Sequence, residues 1–231
     1  MGAQEWSIEE ELLKLTNSRT VNEAISVLNL IPVGHDNITV KTYGDWKRGG
    51  AETYIFPFCI VSSSGFCREL ILKAVVAYSP SRTLDDLLND RLSRRHLLND
   101  AGVFTPTLFF AGQGVILEQF VQHSLAEQLQ KSEINNDKLI DQVFYYAGVL
   151  AKYKFSPTDA FSDLRTDGQN VFAIDFGEDL GPPSFANPIS PQSLYGLAQD
   201  WVKKNNYGQE VVYNARPMAM FRLGYDDSTT N

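Results

Sequence analysis

The chain has 231 residues, 43% of them hydrophobic and 21% charged, with a formal net charge of −8. That length suits one large domain or two small lobes with a substantial core, and the composition is that of an ordinary globular protein. The negative balance argues against a general nucleic-acid or anionic-membrane binder; the densest basic group, Arg91, Arg94 and Arg95, fits one exposed helix face. The acidic start (Glu5, Glu9, Glu10, Glu11) is unlike a signal peptide, and the apolar run Leu70–Tyr78 is interrupted by Lys73 and too short to span a bilayer. A soluble, cytoplasmic protein is expected. The spacing of Cys59 and Cys67 permits a disulfide, but buried reduced thiols are the expectation for such a chain. His35, His96 and His123 lack metal-site spacing.

In chain order, Ser7–Glu10 and Thr20–Glu23 are capping-box patterns, each followed by a helical stripe, so two short helices precede Pro32. From Asn37 the period changes. Ile38–Val40, Thr53–Ile60 and Leu70–Tyr78 read as strands, with Pro57 marking the second as an edge. A helix runs from Thr83 to about Asn99 and stops at Gly102. Thr107–Phe110 and Val115–Phe120 complete five strands around one long helix. After Val121, Ser124 caps a short helix. Residues 136–154 then place Leu139, Val143, Phe144, Ala147, Leu150 and Ala151 on one broad stripe. Ser190-Pro191 opens another helix, and a last one lies around Pro217. The layout is α+β: a β-rich lobe over 1–120 and a mostly helical lobe over 121–231, with a cleft expected between them.

The chemistry gathers in two places. Lys73 sits mid-strand in Leu70-Ile-Leu-Lys-Ala-Val, where an ammonium is costly unless it snorkels to water or meets an anion. Asp167-Gly168 fits a hairpin turn joining Leu164-Arg165 to the apolar strand Val171–Ile174. Asp159 and Asp163 then enter the hairpin and Asp175 leaves it. They are either a converging trio that needs cations or three solvated loop aspartates.

These residues resemble a known pattern. ILKAVV with Lys73 is similar to the third-strand lysine of protein kinases, and AIDFG to their Asp-Phe-Gly metal motif. RRHLLNDAGVFTPTLFF followed by GVILEQFV resembles the aminoglycoside phosphotransferase branch of the kinase-like superfamily. The resemblance covers residues 38 to 181 and implies a bilobal fold with a five-stranded antiparallel first lobe. It implies ATP and Mg²⁺ as cofactors, with Lys73 on the α/β-phosphates, Asp175 and Asp163 on the metal, and Asp159 as base toward an acceptor hydroxyl. Glu118, Gln119 and Phe120 would form the adenine hinge, and the Tyr43–Gly50 turn, with Gly49 and Gly50, would cover the phosphates.

The sequence also departs from the pattern. The family's His-x-Asp-x-x-x-x-Asn becomes Pro157-Thr-Asp159-Ala-Phe-Ser-Asp163, without the histidine and one residue shorter. No helix glutamate stands out to pair with Lys73; Asp90 and Asp86 are equal candidates. From Val121 onward, 14 Asp/Glu face 9 Lys/Arg, which is either a merely solvated acidic face or a surface that would suit an amine-bearing small-molecule acceptor. A minimal protein kinase and a catalytically silent nucleotide- or partner-binding module are the alternatives. The oligomeric state is open.

Overall fold

The computed structural model describes residues 38–44, 47–49, 53–62, 65, 67–75, 82–112, 114–131, 136–157, 161–177, 180, 189–205 and 215–226. The two expected leading helices, Gly50 and Asp159 lie outside the described residues. The chain divides into two units, Met1–Arg91 with Pro106–Phe120, and Leu92–Thr105 with Val121–Asn231.

Unit 1 is built on an antiparallel sheet. Its strands are β1 (Ile38–Thr42), β2 (Lys47–Arg48), β3 (Thr53–Ser62), β4 (Cys67–Val75), β5 (Leu108–Gly112) and β6 (Val115–Gln119). They run in the order β1-β3-β4-β6-β5, with the two-residue β2 also paired to β3. The five expected strands are thus present with one short addition. Period-two alternation gives the sheet an apolar face: Phe56, Phe58 and Ile60 of β3 meet Leu70, Leu72 and Ala74 of β4 and Leu117 of β6. Burying each large side chain there contributes about 1.5–3 kcal/mol. The opposite face carries Ile71, Lys73, Ile116 and Glu118.

Pro57 does not mark an edge, because β3 lies between β1 and β4. Its carbonyl accepts the Tyr43 N–H on the β1 side, 3.1 Å away. Its absent N–H therefore faces the stretch where the β1 ladder ends at Thr42 and the β2 ladder has not begun. A proline costs little where no ladder bond is due. The cysteines are also not the reduced thiols expected. The register sets Cys59 opposite Glu69 and Cys67 opposite Val61, making the two diagonal neighbours. They are joined as a disulfide with Cα atoms 6.3 Å apart, within the span a bridge accepts.

Helix α1 (Leu84–Asp100) crosses the division between the units. It opens on a capping box: Thr83 Oγ1 accepts the Asp86 N–H, and the Asp86 carboxylate accepts the Thr83 N–H. It stops at Gly102, φ +79°, where Gly102 N–H donates to Asn99 O and Val103 N–H to Leu98 O. That double return is the Schellman arrangement the glycine predicts. The arginines are not the exposed face expected: Arg91 and Arg95 are buried and Arg94 is half-buried.

Unit 2 holds the larger core. Its remaining elements are β7 (His123–Ser124), α2 (Leu125–Leu129), α3 (Asp137–Lys152), β8 (Leu164–Thr166), β9 (Val171–Ala173), α4 (Pro191–Asn205) and α5 (Ala215–Asp226). The stripe on α3 is buried as its spacing predicts, including Leu139, Val143, Phe144, Ala147 and Leu150. Ser190 caps α4 by accepting the Ser193 N–H, with Pro191 as the first helical residue. Ser124 precedes α2 but makes no side-chain cap bond. Residues 92–105 join this unit through Phe104, whose carbonyl accepts the Ala173 N–H, and Ala101, whose carbonyl accepts the Tyr145 hydroxyl at 2.6 Å.

The end of α3 carries a testable strain. Lys154 N–H returns to Ala151 O and Phe155 N–H to Leu150 O, the same arrangement as at α1. Here the left-handed position, φ 57°, is occupied by lysine instead of glycine. The left-handed region costs an L-residue about 1–2 kcal/mol. Lys154→Gly is expected to stabilise the protein by about 1 kcal/mol, read as a higher urea midpoint, since relief of strain exceeds the added chain entropy. A lower midpoint would mean that the lysine side chain does more than tolerate its position.

Candidate functional site

Unit 1 contributes a cation. Lys73 on β4 pairs with Ile116 on β6, so Glu118, two residues on, is its diagonal neighbour on the same face. Lys73 Nζ stands 2.7 Å from Glu118 Oε1, with the two side chains 12% and 2% exposed. The acid beside the lysine is therefore on the adjoining strand, and neither expected helix partner takes that place. Asp90 pairs with Arg82, and Asp86 is engaged in the helix cap. Bonds from the Thr83 side chain and backbone hold the Asp86 carboxyl below its ordinary range. One signal for Glu118 was legible: LILKAV and VILEQF are apolar strands, each with a lone, opposite charge.

The segment expected to meet adenine comes directly after. Gln119 N–H donates to Thr107 O and Phe120 N–H to Glu69 O, so both amides are used within the sheet. Tyr43 gives its hydroxyl to Glu69 at 3.0 Å, and its ring lies 6.2 Å from that of Phe120. Gly49 begins the turn into β3. A Cβ there would meet Ile55 Cγ2 at 2.7 Å, and the Gly49 carbonyl accepts the Thr53 hydroxyl. The Gly49 N–H donates to Thr53 O at 2.8 Å, so both of its backbone groups are bonded to Thr53.

Unit 2 contributes the carboxylates. Asp167 closes the β8–β9 hairpin by accepting the N–H groups of Gln169 and Asn170; burial alone would raise its carboxyl, but these bonds hold it low. Gly168, φ +92°, supplies the positive dihedral of the turn. Asp163 is exposed immediately before β8. Asp175 follows β9 and its Oδ1 accepts the Gly177 N–H at 2.8 Å. Below the hairpin lies Tyr146, 4% exposed, edge-on to Phe161. Burial pushes its phenol well above the ordinary range, and the Asp175 and Asp163 charges add to that. Both carboxylates are therefore within electrostatic reach of one buried side chain. Tyr146 also lines a small, partly open pocket of about 30 Å³ with Gln142, Leu164, Val171 and Ala173.

Among the described residues, no three His, Cys, Asp or Glu are grouped to hold a metal by themselves. Two hard carboxylates at the entry and exit of one hairpin nevertheless fit Mg²⁺, which binds through one or two carboxylates together with phosphate oxygens and water. No helix among the described residues is long and apolar enough to cross a membrane.

No family model matches the sequence, and no curated protein matches it either. Solved structures do. A complex of Rio2 kinase with ADP/Mg²⁺ and phosphoaspartate, from Chaetomium thermophilum, superposes with a TM-score of 0.51 at 11% identity. The match covers 90% of this chain and 66% of that one. The MAP kinase LmaMPK10 of Leishmania major gives 0.37 at 15% identity over 69% of this chain and 50% of that one, a likeness too slight to carry weight. The chain thus spans about two thirds of the Rio2 kinase chain and half of the MAP kinase chain. The first likeness shows the fold: this protein has the bilobal, protein-kinase-like α+β architecture.

Proposed function

We propose that this protein is an ATP- and Mg²⁺-dependent phosphotransferase that moves the γ-phosphoryl group to a hydroxyl of a small molecule. The observation that carries the reading is Lys73, held 2.7 Å from Glu118 on one face of the sheet in a kinase-like fold. A strand lysine fixed by a carboxylate is positioned to meet phosphate oxygens instead of drifting to solvent. On this reading Lys73 engages the α/β-phosphates, and the Tyr43–Gly50 turn covers them. Asp175 and Asp163 hold Mg²⁺, which supplies charge neutralisation at the phosphates. Asp159 takes the acceptor proton. The Rio2 kinase structure contains ADP and Mg²⁺, which supports the cofactor choice. The excess of acid from Val121 onward, 14 Asp/Glu against 9 Lys/Arg, favours an amine-bearing acceptor of the aminoglycoside type. A protein acceptor is the second reading, favoured by the likeness to the Rio2 kinase complex.

The test is ATP turnover with Mg²⁺ in the wild type and in Asp175→Ala and Asp159→Ala. Each variant is expected to lose about 10²–10³-fold, the usual cost of one charge-stabilising group. Thermal stabilisation by nucleotide without turnover would identify a silent binding module. Absence of both would end the phosphotransfer reading. Screening amines and sugars against protein substrates then separates the two acceptors.

A further inference from the structure

The turn that carries Asp175 is held from helix α1. Arg94 Nη1 donates to two successive carbonyls, Phe176 O at 3.0 Å and Gly177 O. The Arg95 guanidinium lies 5.4 Å from the centre of the Phe176 ring, which is 4% exposed. Between these anchors the Gly177 N–H reaches back to Asp175 Oδ1. One cation bonded to both carbonyls fixes the peptide planes on either side of Gly177, and the Gly177 amide in turn orients the carboxylate. The end of α1 is itself fixed, by its Schellman turn and by the Tyr145 hydroxyl on Ala101 O.

Resting on the phosphotransfer reading, we propose that Arg94 is a positioning residue: it clamps the Phe176-Gly177 backbone so that Asp175 is aimed for Mg²⁺ before nucleotide or metal arrives. A rotated turn would forfeit both carbonyl bonds together, each a charge-assisted bond of the stronger kind. The clamp leaves the carboxylate little to reorganise when the ion binds, and its loss should appear first in the metal requirement.

The experiment compares Arg94→Met, which keeps the stem and removes the donors, with Arg94→Lys, which keeps the charge without the planar fork. In the ligand-free full chain, Arg94→Met is expected to speed amide exchange at Gly177 by about tenfold or more, with amides in the middle of α3 unchanged. The Mg²⁺ concentration for half-maximal ATP turnover should rise by about tenfold, while turnover at saturating Mg²⁺ changes far less. Arg94→Lys should fall between the two; if Arg94→Met does not fold, a raised Mg²⁺ requirement in Arg94→Lys supports the clamp. Wild-type exchange at Gly177, or an unchanged Mg²⁺ requirement in variants that turn over, overturns it. No turnover in the wild type overturns the phosphotransfer reading, and the role with it.

Discussion

Gly148→Ala is expected to destabilise the second unit by about 3 kcal/mol, a large loss for one methyl group. Gly148 on α3 and Gly224 on α5 mark a crossing at which the two helix backbones touch. A Cβ at Gly148 would stand 2.0 Å from the Phe221 carbonyl oxygen and 2.9 Å from the Tyr225 nitrogen. A Cβ at Gly224 would stand 2.1 Å from the Tyr145 carbonyl oxygen and 3.1 Å from the Val149 nitrogen. The obstacles are backbone, so no rotamer relieves them; the helices must separate and loosen the apolar stripe around Val149 and Phe221. Alanine's better helix propensity returns only about 1 kcal/mol. Gly224→Ala should behave alike. Gly196 on α4 is the internal control, because nothing lies within 4 Å of its missing Cβ. Gly196→Ala should therefore stabilise by about 0.5–1 kcal/mol. Thermal melts decide the matter, at roughly 2–4 °C per kcal/mol for a chain of this size. If Gly148→Ala melts with or above Gly196→Ala, α3 and α5 do not meet this closely.

Such a crossing could not be read from the sequence, since an isolated glycine in a helical pattern says nothing about which backbone approaches it. Local devices were legible. The Asp167-Gly168 turn, the Thr83 cap, the stop at Gly102 and the stripe on α3 are each set by residues within a few positions of one another. What failed was information carried across strands. Pro57 looked like an edge signal because only the register shows that its missing N–H falls beside a gap in the ladder. Cys59 and Cys67 become neighbours only once Val61 is opposite Cys67. The partner of Lys73 was sought on a helix because the family resemblance led there, whereas strand alternation alone puts Ile116 and Glu118 on one face. Arg94 and Arg95 of α1 passed for part of a solvated face because their partners, the carbonyls and ring of Phe176-Gly177, lie about 80 residues away in the chain.

Glu118→Ala is expected to cost unit 1 about 3 kcal/mol, and Lys73→Met a comparable amount, while the double variant Lys73→Met/Glu118→Leu should return to within about 1 kcal/mol of wild type or exceed it. The reasoning turns on what each single change leaves behind. Attraction at 2.7 Å offsets the cost of taking both charges out of water, and the exposures of 12% and 2% leave little solvent to screen either group. Removing Glu118 takes away an acid 2.7 Å from the ammonium, and removing Lys73 takes away a cation at that distance from a carboxylate with almost no access to water. Apolar replacements on both sides instead extend the packing of Ile71 and Ile116, so the singles should be strongly non-additive in a double-mutant cycle read by urea unfolding. Single variants within about 0.5 kcal/mol of wild type would mean that the pair is not formed in solution. The same cycle separates stability from chemistry. A double variant as stable as wild type but without nucleotide-dependent turnover would assign the pair to phosphate binding, because a surface suited only to packing would have no use for charges that methionine and leucine replace at no cost.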